Sequence, residues 1–358
     1  MNRFILLLLL FALVSCGKNS EEENYRTIKK EDFREISVTS EKHYFEVIIN
    51  PSDIGLSQGK LLIAEAWRVP EEFPRMHLIN SSNWTYDKPK GKHGQGPLEI
   101  TDAAQFLYSP DLGFFWIYNM NRRKLVEFSI NDTSLLATKD WKFPEPMMDL
   151  WFVEFGPDGH YLGVPREGEN KILEFDPKGN LIGKYGEFEV LEDRPDLTKL
   201  QISLLEDGWF KGDPTRGLYV RACLRRDILE IFDYKTKDLI RIMGPDTSLP
   251  EFQYLESELG GTMMYDRNVT YRYRDIAFTD DYIFALYAGH GQLDFNETGI
   301  MAEQIWVFDH KGKPLYNLKL DRSIIQILVN EQTNEIYGLT TDENPGIAVF
   351  QIPEELLR

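Results

Sequence analysis

A β-rich unit recurs six times along this chain, and a repeat of that kind fixes the architecture before any single element is assigned. The unit is a strand reading like Ile-Tyr-Val, a turn, a strand ending in Phe-Asp, and a glycine-containing turn. The clearest copy runs from Gly159-His160-Tyr161-Leu162-Gly163-Val164 through Lys171-Ile172-Leu173-Glu174-Phe175-Asp176 to Pro177-Lys178-Gly179-Asn180. Taking Leu62, Ile117, Leu162, Tyr219, Phe284 and Tyr337 as landmarks, the spacings are 55, 45, 57, 65 and 53 residues. Each unit has room for four short strands and their turns. Helical periodicity is nearly absent. The pattern predicts an all-β chain: a six-bladed β-propeller of four-stranded antiparallel blades over residues 33–352. Asp176, Asp233 and Asp309 read as turn-capping residues, since Asp caps a turn with its own side chain and Gly accepts positive φ.

The sixth unit ends at Ile352 without an outer strand, while Phe33-Arg34-Glu35-Ile36-Ser37-Val38 stands alone ahead of the first. This N-terminal strand is expected to complete the last blade and close the ring, leaving 353–358 as a tail.

The first residues give an address. Asn2 and Arg3 precede an apolar run from Phe4 to Val14, too short for the roughly 20 residues that span a bilayer. It reads as a signal peptide of residues 1–15. Leu13-Val14-Ser15-Cys16 resembles the bacterial lipobox, which implies acylation at Cys16 and attachment through lipid, with 16–32 as a flexible tether. An acidic run, Glu21-Glu22-Glu23, follows. With Cys16 acylated, Cys223 has no disulfide partner and reads as a buried, inert thiol.

Lys92-His93-Gly94-Gln95-Gly96-Pro97-Leu98-Glu99 resembles the G-x-G-P-x-E segment between blades of NHL-like and TolB-like propellers. With the lipobox, the chain is similar to TolB-like six-bladed propeller lipoproteins of Gram-negative bacteria. The resemblance implies an outer-membrane lipoprotein, periplasmic or surface-exposed, and little chemistry. Related gluconolactonase-like propellers hold calcium in the central channel, so calcium stays open here, although no ligand set maps onto this sequence and no cofactor is predicted.

Chemical signatures are few. There are 40 Lys and Arg against 58 Asp and Glu, a formal charge of −18. A surface of that sign argues against nucleic acid, whose phosphates need basic residues. Gly94-x-Gly96 is no phosphate cradle, because it lacks a third Gly and Pro97 removes an amide donor. No catalytic motif appears. Long inserts at 245–271 and 288–302 are where function concentrates in a compact fold. The candidate contact residues are therefore Arg272 and Arg274 in a Tyr/Arg-rich stretch, Tyr287 and His290 at the second insert, His93 beside the glycine motif, and Trp84 and Trp209 near loops. The expected role is a lipid-anchored, non-enzymatic module binding a protein or a glycan. The rivals are a propeller hydrolase or lactonase with a divalent metal at the axis, and a structural member of an envelope complex.

Overall fold

Alternating apolar residues bounded by turn residues make each repeat unit an up-and-down sheet. The computed structural model describes residues 24–66, 68–108, 113–257 and 260–357. The signal peptide, Cys16 and the start of the tether lie outside the described residues.

Among the described residues the strands group into six blades. Blade one is Pro51–Ser57, Lys60–Glu65, Met76–Asn80 and Thr85–Lys90. Blade two is Gln105–Leu107, Phe114–Asn119, Lys124–Ser129 and Lys139–Lys142. Blade three is Leu150–Phe155, Tyr161–Pro165, Asn170–Phe175 and Leu181–Glu187. Blade four is Gly208–Asp213, Leu218–Cys223, Ile228–Asp233 and Leu239–Met243. Blade five is Tyr273–Phe278, Tyr282–Tyr287, Ala302–Asp309 and the first part of the long strand Pro314–Asn330. That strand runs on as the innermost strand of blade six, followed by Glu335–Thr340 and Gly346–Gln351. Apolar side chains fill the spaces between blades. Leu62 and Leu78 of blade one meet Ile117 and Phe128 of blade two. Tyr337 and Leu339 of blade six meet Ile54 and Ile63 of blade one, which closes the ring.

The closing strand differs from the expected one. Ser40–Tyr44 pairs antiparallel with Gly346–Gln351 and completes blade six. The segment Arg34–Val38 instead adds a parallel fifth strand to blade five, Ile36 opposite Leu318. The tether also ends earlier than expected, because Tyr25–Thr27 pairs in parallel with Leu239–Met243 of blade four. Ile28 and Phe33 are buried, and the Phe33 ring lies 4.9 Å from that of Trp306. Residues 25–44 thus form a belt around the rim of three successive blades. The C-terminal tail is likewise fastened, with Leu356 buried.

Turn chemistry follows the sequence. Asp176 Oδ1 accepts from the amides of Lys178 and Asn180 at 2.8 and 2.9 Å. Asp309 Oδ1 does the same with Lys311 and Lys313 at 2.9 and 2.8 Å. In the glycine motif, Glu99 folds back to accept from the Gly96 amide at 2.8 Å. A Cβ on Gly94 would sit 2.0 Å from Glu99 Oε2, so a larger residue there would push the returning carboxylate aside.

Two short helices lie in the inserts, Lys199–Leu205 before blade four and Gln292–Thr298 within blade five. The first begins with a capping box: Thr198 Oγ1 accepts from the Gln201 amide at 3.2 Å, and Gln201 Oε1 accepts from the Thr198 amide at 2.9 Å. Glu206, just after it, is pinned by Arg241 at 2.6 Å and by Arg226. A hairpin, Phe252–Ser257 with Gly260–Tyr265, stands on the insert between blades four and five.

Cys223 is buried and its thiol donates to the Glu206 carbonyl at 3.4 Å. Burial pushes its pKa up to about 12. Since the thiolate is the reactive form, Cys223 is expected to resist alkylation at pH 8 until the chain is denatured. Rapid labelling of the folded protein, read by mass spectrometry, would contradict its placement.

Candidate functional site

Each innermost strand runs through the ring in the same sense, so the connections sort by end. Those entering the innermost strand, and those between second and third strands, gather at one end. The long segments 188–207, 244–272 and 288–301 are all of this kind. The opposite end carries mostly tight turns.

The channel between these ends is lined by one polar side chain per blade: Asp53, Gln105, Glu154, Lys211, Asp275 and Gln326. Lys211 Nζ lies 2.7 Å from Asp275 Oδ1 and 3.5 Å from Asp53 Oδ1. Blades four and one face each other across the ring, so that contact crosses the axis. Asp275 also accepts from the Ile327 amide at 2.8 Å, and the Gln326 amide group donates to it at 2.6 Å. Asp53 accepts from the Phe106 amide at 2.7 Å. Gln105 Nε2 donates to Glu154 Oε1 at 2.5 Å. Burial pushes the Asp275 carboxyl up to about 6, against the pull of Lys211. Burial pushes Glu154 well above the usual carboxylate range, again opposed by Lys211. For Lys211, burial works against the charge, but Asp275 and Asp53 outweigh it and raise its pKa. The cluster is thus three carboxylates gathered about one internal ammonium. Among the described residues, no group of three or more His, Cys, Asp or Glu side chains is placed to hold a metal ion.

Toward the end that bears the long connections, four innermost strands carry a register shift. It falls between Pro51 and Asp53, Leu150 and Phe152, Tyr273 and Asp275, and Ile324 and Gln326. Such bulges re-aim a side chain, and here they hold Ser52, Trp151, Arg274 and Ile325. Trp151 is 41% exposed. Arg274 stacks over Trp209 at 5.0 Å and over Tyr271 at 5.3 Å. Arg225 continues the stack over Tyr265 at 4.1 Å, linking the mouth to the inserted hairpin. Beside it a groove of about 280 Å³ is lined by Arg225, Glu251, Asn268 and Arg272.

Of the residues singled out from sequence, Arg272, Arg274, His290 and Trp209 meet in this sector. Arg272 is held by Asp246, and the His290 carbonyl accepts from the Tyr271 amide at 2.9 Å. Trp209 Nε1 donates to the Tyr273 carbonyl at 3.0 Å. Tyr287 belongs to the core: it stacks on Trp306 at 3.8 Å and its hydroxyl donates to buried Asp227 at 3.1 Å. His93 is at the same end but in another sector, 3.9 Å from Glu71. Trp84 sits in the turn between the outer strands of blade one, stacked on His43 at 3.8 Å, and does not join the group. Trp151 and the axial six were not among the sequence candidates.

Residues 29–332 match the family described as TolB-like 6-blade propeller-like. Among solved structures the chain is similar to a Bacteroides fragilis protein described as exported, at 11% identity and a TM-score of 0.57, covering 91% of this chain and 98% of that one. It is also similar to a member of the DUF4221 family from Bacteroides vulgatus, at 12% identity and a TM-score of 0.55, covering 88% and 97%. Both likenesses are of fold. No curated protein matches the chain. The six blades, their ring closure and the match across most of its length agree: this chain belongs to the TolB-like six-bladed propeller family.

Proposed function

We propose that the chain is an exported, lipid-anchored binding module of the cell envelope, attached through Cys16, that takes a protein or glycan ligand at the insert-bearing mouth of its ring. One observation carries this reading: the long inserts, exposed Trp151 and the arginine–aromatic stack converge on one end of the channel, while the other end is mostly tight turns. The signal-peptide and lipobox pattern supports the location, as does the exported description of the Bacteroides fragilis structure. The axial carboxylates carry their counter-charge in Lys211, which speaks against a divalent ion and hence against the metal-dependent hydrolase.

The test is a thermal-melt series on residues 24–358 with a glycan panel, with calcium and with EDTA. A ligand that binds only the folded state raises stability by about 2.7 kcal/mol at a hundred times Kd. The expected result is a stabilising ligand whose effect disappears in Trp151→Ala and persists in Lys178→Ala at the opposite end, with a melt indifferent to metal and EDTA. Turnover abolished by Asp275→Asn, or an EDTA-sensitive melt restored by calcium, would hand the site to the hydrolase.

A further inference from the structure

Arg274 is a charged side chain without an acid. Its guanidinium makes no hydrogen bond among the described residues, and its Nε is buried without a partner. Burial among its neighbours pulls its pKa down to about 10, with Tyr271 and Asp275 opposing. Several other buried or half-buried cations meet an acid, while Arg75, which has no ion pair among the described residues, donates to the Val69 carbonyl at 2.9 Å. Lys171, Arg221 and Arg241 meet Glu230, and Arg226 meets Glu206. Arg272 meets Asp246. Asp275, the residue after Arg274, is already taken by Lys211 at 2.7 Å.

The geometry narrows what Arg274 is for. Trp209 and Tyr271 lie against it at 5.0 and 5.3 Å. Ring faces hold a guanidinium plane but accept none of its in-plane N–H groups, which stay free for the paired bonds that arginine makes to planar oxyanions. The residue sits in a bulge, the device by which a strand turns a side chain out of register. It is also at the channel mouth, against Trp209, whose ring meets Phe152, the residue after Trp151, at 6.1 Å. A flat aromatic surface beside an unsatisfied arginine fits a sugar ring that bears a carboxylate.

We propose that Arg274 receives the carboxylate of a uronic-acid-containing glycan at the mouth, with Trp151 as the stacking surface for the sugar. This rests on the reading of the mouth as the ligand face and names the class of ligand.

The test uses residues 24–358 with oligomers of galacturonate, glucuronate and mannuronate, each beside its methyl ester, by calorimetric titration. At least one acidic oligomer should bind, its ester at least tenfold more weakly. Arg274→Met should weaken the acidic oligomer at least tenfold, and Arg274→Lys should fall between. In the absence of ligand, Arg274→Met should melt within a few degrees of the wild type, because the lost ring contacts are offset by removal of a desolvated charge and no hydrogen-bond partner is orphaned. Loss of cooperative unfolding would mark Arg274 as a structural residue and overturn the proposal. So would binding by no acidic oligomer, equal affinity for acid and ester, or binding of poly-glutamate in place of the sugars. Loss of an oligomer's binding in Trp151→Ala with no change in Arg274→Met would sink the assignment of Arg274 alone. A ligand untouched by either variant would sink the mouth itself.

Discussion

Replacing Lys211 by alanine is expected to cost about 3–5 kcal/mol at pH 7.5, the usual loss when one partner of a buried charge cluster is removed. The reason is arithmetic of charge at the axis. Lys211 faces Asp275 and Asp53 directly, and its field also lowers Glu154. Without it, three carboxylates share a desolvated channel with no cation among them. The loss should shrink on acidification. A carboxyl whose folded pKa lies above its unfolded value destabilises the fold at high pH; that penalty is relieved as pH falls through the folded pKa and is gone below the unfolded one. Asp275 is already at about 6 with the lysine present, so its window in the wild type runs from about 4 to 6. In the variant the window moves upward. Denaturant melts at pH 7.5 and 5 should therefore differ far more for Lys211→Ala than for the wild type. Glu174 runs the other way but does not interfere. Burial raises its pKa, yet bonds from Tyr185, Tyr234, His160 and Lys237 bring it down to about 2. Its contribution is lost only as pH falls below about 4. Lys211→Met with Asp275→Asn should recover much of the stability, since removing charge from both sides restores the balance. A Lys211→Ala protein as stable as the wild type at pH 7.5 would show that the carboxylates do not depend on the ammonium.

The second large effect concerns the belt. A chain beginning at residue 45 should lose cooperative unfolding, while one beginning at residue 24 keeps the full melting temperature and one beginning at residue 34 falls between. The shortest chain lacks the closing strand Ser40–Tyr44, the parallel strand on blade five, and the buried Ile28, Phe33 and Val38. Truncating a single buried Phe costs about 3–5 kcal/mol. Whole-protein stabilities are only about 5–15 kcal/mol, so removing this set exceeds what the ring can lose. It also bares the edge of Gly346–Gln351, an invitation to pair with other chains. Thermal melts with light scattering check this. A sharp, wild-type transition from the chain starting at residue 45 would mean that blade six closes without its outer strand.

The repeat made the blades legible because inner strands are buried on both faces and keep their apolar signature, as in Leu218–Cys223 and Tyr282–Tyr287. The closing strand was misplaced for the converse reason. Ser40-Glu41-Lys42-His43-Tyr44 is an outer strand, half in solvent, and its polar sequence carries no such mark. Phe33 and Ile36 looked more like a strand of the ring; Phe33 is buried and Ile36 half-buried, but against blade five. The short helix at 199–205 was signalled only by Thr198 and Gln201, a cap too small to outweigh the surrounding β pattern. The axial six escaped because they differ in type. Their spacings of 52, 49, 57, 64 and 51 follow the repeat, so aligning the innermost strands and asking for the polar residue in each would have found them. Trp151 stands in the apolar run Leu150-Trp151-Phe152-Val153, which carries no sign of an exposed ring. Only the bulge puts it outside.

Residues 25–44 have a mechanical meaning as well. Any tension applied at residue 24 enters the ring through the piece of chain that latches it. It meets the three-residue pairing on blade four first, then the Ile28 and Phe33 anchors and the blade-five strand, and only last the closing strand. Under such a load the outer two attachments would yield first, so that the pull is spent on them before it reaches the seam.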